Sequence, residues 1–139
     1  MWAGQFWTGA GAFTAQIKDG VATIKITNPG TVVHGVQFYQ QSRTVEQGQI
    51  YRVTFRAKSD IPRPIMFALE ENTTRRYDEI VFLTTEWQDF EIQYEHILTG
   101  FTNGKFAFFM GDIGSTSVPT TVYLDDIEVE TIRAIDDQT

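Results

Sequence analysis

The sequence contains no cysteine, so it can form neither a disulfide framework nor a thiolate metal site. It has two histidines, His34 and His96, too few for a multi-histidine metal centre. No run of about 18 apolar residues occurs, so no helix of the chain is suited to span a membrane. Positive charge is scarce: 11 Lys and Arg stand against 18 Asp and Glu, a net charge of -7. A phosphate-backbone partner needs clustered cations, so nucleic acid is not an expected partner. No stretch of a dozen residues keeps a helical period. A Gly-rich phosphate loop, His-Glu-x-x-His and Gly-x-Ser-x-Gly are all absent. No signal peptide is visible, and Met1-Trp2 reads as the edge of a segment cut from a longer chain.

What the chain does have is aromatic residues, 14% of the total and eleven of them Phe, set in short alternating runs. Its 139 residues suffice for one domain with a full core. Residues 1–11 read as an irregular N-terminal segment and 134–139 as a polar tail. Phe13, Ala15 and Ile17 alternate with polar residues, then Asp19-Gly20 gives a type I′ hairpin signal, then Ala22, Ile24 and Ile26 follow. Pairing across that turn sets Ile17 opposite Ala22, Ala15 opposite Ile24 and Phe13 opposite Ile26, all on one face. Asn28-Pro29-Gly30 and Glu46-Gln47-Gly48 are turns. Ile50 to Lys58 reads as a strand with Tyr51, Val53, Phe55 and Ala57 inward. Pro62 and Pro64 bar a central strand over Ser59 to Pro64. Later strands are expected around Ile65–Glu70, Tyr77–Leu83, Trp87–His96, Lys105–Met110 and Val122–Thr131. In the second of these, Ile80 and Phe82 are expected inward and Tyr77, Glu79 and Val81 outward. Nine short strands at regular spacing imply an all-β, two-sheet antiparallel sandwich.

The stretch from Val32 to Gln41 carries the functional signal. Val36 and Phe38 fall on one face; Gln37, Tyr39 and Gln41 fall on the other. Lys, Glu and Thr ordinarily cover a solvated sheet, whereas here amides and a phenol do. An uncharged hydrogen-bonding surface beside aromatics suits a sugar, which is half hydroxyl and half C–H face. Glu70 and Glu79 form a candidate pair of acids for sugar hydrolysis, and acidic residues on a wet face are the commoner case. Trp2 and Trp7 read equally as plugs on the sandwich edge or as stacking platforms, and Trp87 reads as core.

Three segments carry a family resemblance. Thr84-Thr85-Glu86-Trp87-Gln88-x-Phe90 and Val122-Tyr123-Leu124-Asp125-Asp126-Ile127 resemble the closing half of bacterial carbohydrate-binding modules of families 4, 9, 16 and 22. Gly48-x-x-Tyr51-x-Val53-x-Phe55-x-Ala57-Lys58 is similar to their middle strand. The resemblance implies a galactose-binding-like β-jelly roll over most of the chain. It also implies non-catalytic binding of a β-linked polysaccharide in a cleft on the concave sheet, and attachment to a secreted glycoside hydrolase. Carried over by position, the cleft takes Gln37, Tyr39, Gln41, Tyr77, Glu79 and Phe109. His34 falls where similar modules often place a stacking Trp, Trp7 and Arg75 lie in flanking loops, and Glu70 lies on the reverse of its strand. Asp125 is implied as one ligand of a structural calcium, an ion that takes six to eight oxygens. Likeness of the Ile26 to Gln41 stretch to modules of laminarin-degrading enzymes favours β-1,3-glucan, then xylan or mixed-linkage glucan. A protein-interaction or spacer jelly roll without a sugar ligand is the second reading, and a small glycosidase the third.

Overall fold

Alternation of apolar and polar side chains favours strands over helices in this chain, and strands are what it forms. The computed structural model describes residues 4–8, 11–113 and 118–133. The first five strands are β1 (Gln5–Thr8), β2 (Ala12–Lys18), β3 (Val21–Asn28), β4 (Val36–Val45) and β5 (Gln49–Ser59). The rest are β6 (Arg63–Glu71), β7 (Thr74–Leu83), β8 (Gln88–Glu95), β9 (Phe101–Phe109) and β10 (Thr120–Arg133). They form two five-stranded sheets, β1-β4-β9-β6-β7 and β2-β3-β10-β5-β8. The strand pairings among the described residues are antiparallel, and the result is the expected two-sheet sandwich.

The β2–β3 hairpin has the register read from the sequence, with Ile17 opposite Ala22, Ala15 opposite Ile24 and Phe13 opposite Ile26. Its turn residues have φ 53° at Asp19 and 81° at Gly20, the pair of positive values that a type I′ turn requires. In β5, Tyr51, Val53, Phe55 and Ala57 are all buried, as alternation requires.

Two boundaries differ from expectation. The N-terminal segment is not wholly irregular, because β1 pairs with β4 from Gln5↔Tyr39 to Thr8↔Val36. The strand expected to start at Val32 opens instead with a 3₁₀ turn, Val33–Gly35, and runs on to Val45 past a bulge where Ser42 has φ 61°.

The core lies between the sheets. Val36, Phe38, Phe106 and Phe108 descend from one, and Ile24, Val53, Phe55 and Leu124 from the other. Phe55 meets Phe108 edge-on at 4.9 Å. Burial contributes about 1.5–3 kcal/mol for each such side chain.

One end of the first sheet is locked by backbone contact. Gly111 N–H donates to Val33 O at 2.9 Å and Asp112 N–H to Val32 O at 3.0 Å. A Cβ on Gly111 would stand 2.2 Å from the Val32 oxygen, so only glycine fits. Arg63, 1% exposed, donates from Nη2 to Gly111 O and from Nε to Pro64 O, both at 2.9 Å. Burial pushes its guanidinium down to about 10, against the pull of Asp112, so it stays charged at neutral pH. This brace holds the 3₁₀ turn, and with it His34.

Candidate functional site

Registers across the first sheet generate rows that no single strand reveals. Trp7 lies opposite Gln37, Gln37 opposite Phe109, Phe109 opposite Met66, and Met66 opposite Ile80. All five project from the face away from the core. With strands ~4.8 Å apart, the row runs across the full sheet for about 19 Å. Beside it runs a second row, Gln5, Tyr39, Ala107, Ala68 and Asp78. Lys105 and Glu70, which pair, begin a third, and Arg75 opposite Glu70 extends it.

A pocket of about 280 Å³ opens among these rows, lined by His34, Gln37, Glu70, Arg75, Lys105 and Phe109, with Thr73 at its edge. Phe109 is its floor and is fully buried. The Arg75 guanidinium lies 5.0 Å from the Phe109 ring centroid, and the Lys105 ammonium lies 5.7 Å from it and 4.6 Å from that of Tyr39. Carboxylates hold these cations in place. Arg75 pairs with Glu70 at 3.0 Å and with Asp78 at 3.0 Å, and Lys105 approaches Glu70 at 3.9 Å. Burial pushes the Lys105 ammonium below its ordinary range, opposed by Glu70 and reinforced by Arg75.

Gln37 is the buried polar group of the pocket. It is 5% exposed, and its Nε2 donates to His34 O at 3.0 Å. Its Oε1 is buried with no hydrogen-bond partner among the described residues. Such an acceptor costs stability until a donor reaches it.

The structure brings together His34, Gln37, Tyr39, Glu70, Arg75 and Phe109 on one face, with Trp7 at the β1 edge. Gln41 is exposed and sits where β4 enters its bulge. Tyr77 and Glu79 are not on this face. Tyr77 pairs with Leu69 and Glu79 with Phe67, both core residues. The Tyr77 ring stacks on Tyr94 of the other sheet at 4.7 Å, and its hydroxyl donates to Glu79 at 2.5 Å. The cause is a bulge: Leu69 pairs with Tyr77 but Glu70 with Arg75, leaving Arg76 as an extra residue. One extra residue reverses the phase of a strand. Val81 therefore points inward, while Ile80 and Phe82, expected inside, stand 51% and 64% exposed beside the pocket rows. The same reversal separates Glu70 and Glu79, which lie on opposite faces and form no acid pair.

One further expectation is corrected, and the surroundings of Asp125 are described with it. Trp87 is half-buried on the outer face of the second sheet, edge-on to Tyr123 at 6.4 Å, with Arg56 and Lys58 each 5.2 Å from its centroid. It is not part of the core. Asp125 uses Oδ1 to accept the Asp126 N–H at 2.8 Å, in a β10 bulge where Asp126 has φ 52°. Among the described residues no three His, Cys, Asp or Glu gather as metal ligands.

Comparison with known proteins adds a second line of observation. The family described as "Carbohydrate binding domain", CBM_4_9, matches residues 3–120. A solved structure described as "CBM4 structure and function" is 30% identical, with a TM-score of 0.79, and the match covers 91% of this chain and 85% of that one. The N-terminal cellulose-binding domain of Cellulomonas fimi β-1,4-glucanase C is 17% identical with a TM-score of 0.62, covering 89% and 95%. The Clostridium thermocellum xylanase 10B CBM22-1-GH10 modules, complexed with xylohexaose, are 13% identical with a TM-score of 0.55, covering 90% of this chain and 26% of that one. Both of these last two share the fold. No curated protein matches the chain.

Proposed function

Because the chain belongs to the CBM_4_9 family of carbohydrate-binding domains, we propose that the β1-β4-β9-β6-β7 face binds a β-linked polysaccharide without catalysing its cleavage. The preferred ligand is a β-glucan, β-1,3-glucan first, and the module delivers an attached, secreted glycoside hydrolase to it. The observation that carries this reading is the Gln37 Oε1. It is a buried acceptor with no donor among the described residues, in a pocket that also holds His34, Glu70, Arg75 and Lys105. A sugar hydroxyl supplies that donor and accepts in turn from Lys105 or Arg75. Trp7 and Phe82, at opposite edges of the same face and 41% and 64% exposed, offer ring faces to pyranose C–H groups. The tethered xylanase relative supports the idea of an attached enzyme, and its xylohexaose keeps xylan as the next ligand.

Affinity electrophoresis in gels containing laminarin, xylan or cellulose tests the proposal. Retardation is expected, strongest in laminarin. Retardation only in xylan would overturn the ligand preference, and none in any gel would leave the spacer reading in its place.

A further inference from the structure

The outer face of the second sheet carries a depression of its own. A groove of about 460 Å³ is lined there by Thr14, Gln16, Thr23, Lys25, Thr121 and Tyr123. Its residues fall in cross-strand rows. Gln16 lies opposite Thr23, Thr23 opposite Tyr123, and Tyr123 opposite Lys58. Thr14 lies opposite Lys25, and Lys25 opposite Thr121. The first row spans four strands, about 14 Å at ordinary strand spacing.

Threonine and lysine alone would describe a solvated sheet. Tyr123 distinguishes this one. Its ring is braced by Lys58, whose ammonium lies 5.1 Å from the centroid, and by Trp87 edge-on at 6.4 Å. Lys58 comes from β5 and Trp87 directly precedes β8, whereas the groove lies toward β3 and β2. Tyr123 is thus a fixed aromatic wall between a cationic brace and an open trough. The trough offers three threonine hydroxyls, the Tyr123 phenol, one amide and one ammonium, and no carboxylate, in a chain whose net charge is -7. That lining donates and accepts neutral hydrogen bonds beside one aromatic surface. It suits a neutral polyhydroxylated chain and offers too little positive charge for a polyanion.

We propose that this groove is a second carbohydrate-binding site, taking a neutral oligosaccharide segment against Tyr123 with Thr14, Gln16 and Thr23 bonding its hydroxyls. The two sites then lie on opposite sheets, and one module grips two chains or two stretches of one chain. The ligand class follows from the groove's own lining, so this site stands or falls apart from the one around Gln37.

The test is titration of the 15N-labelled protein with laminarihexaose, cellohexaose and xylohexaose, following backbone amide shifts. With at least one sugar, shifts are expected over β2, β3 and β10 as well as over β4, β6 and β9. The β2-β3-β10 shifts should vanish in Tyr123→Ala and in the double variant Thr14→Ala/Gln16→Ala, whose two residues are exposed on an edge strand. The β4-β6-β9 shifts should persist in both. Shifts confined to β4, β6 and β9 with all three sugars would overturn the second site and leave the first. Shifts over β2, β3 and β10 that survive the double variant would also overturn it, and silence everywhere would overturn both sites.

Discussion

Gln37 combines two roles in one side chain. Its amide nitrogen secures the 3₁₀ turn through the His34 carbonyl, and its amide oxygen is left for a ligand. Gln37→Ala should therefore weaken polysaccharide binding about tenfold, about 1.4 kcal/mol, as measured by isothermal titration calorimetry. Its sequence neighbour Phe38 points the other way, stacked at 4.5 Å on Phe6 and 1% exposed. Phe38→Ala should cost about 3–5 kcal/mol in urea unfolding, as a core deletion. Tyr77 gives a pH dependence. Burial, then the hydrogen bond to Glu79, push its phenol up to about 12 from the usual 10.0. A raised acid leaves its stabilisation intact below the unfolded value and loses it as pH climbs through the folded one. Stability should fall between pH 10 and pH 12, and Tyr77→Phe should flatten that fall. An equally steep fall in the variant would assign the alkaline loss to other groups.

At the scale of the element, legibility followed local chemistry. The β2–β3 hairpin was readable because its turn residues and its apolar register agree independently. The phase of β5 was readable because its outer face carries Arg52, Thr54, Arg56 and Lys58 without ambiguity. The phase of β7 was not. A single bulge at Arg76 reverses it, and the exposed Ile80 and Phe82 imitate core residues in a pattern count. The pocket was half readable: Gln37 and Tyr39 follow from the alternation of β4, but meeting Lys105, Glu70 and Arg75 depends on the β9-β6-β7 neighbourhood. Nothing local in the sequence encodes that neighbourhood. Trp87 departs from the core position expected of a large apolar residue because its cationic partners, Arg56 and Lys58, come from a different strand. Gly111 tests the coupling between loop and site. Gly111→Ala should destabilise by about 1–3 kcal/mol as overpacking against backbone, and should also weaken sugar binding, because the 3₁₀ turn carrying His34 must shift. Unchanged affinity in a destabilised variant would show that the turn and the pocket are independent.

At the scale of the whole molecule, two sheets share one core and leave two outer faces differently equipped. One carries a cross-sheet row from Trp7 to Ile80 with the ion pairs of Glu70, Arg75 and Lys105 in a parallel row; the other carries a trough beside a braced tyrosine. Asp125 already accepts the Asp126 N–H and joins no group of three His, Cys, Asp or Glu side chains among the described residues, so the melting temperature should be the same in excess EDTA and in millimolar calcium. A calcium-dependent rise of several degrees would contradict that reading. The account depends most on the face that carries Gln37, and calorimetry of the parent protein and Gln37→Ala with laminarihexaose, cellohexaose and xylohexaose probes it most directly. Saturable binding of at least one sugar, about tenfold weaker in a variant that still unfolds cooperatively, is the expected result. No binding heat with any of the three, or equal affinity in the two proteins, would contradict it.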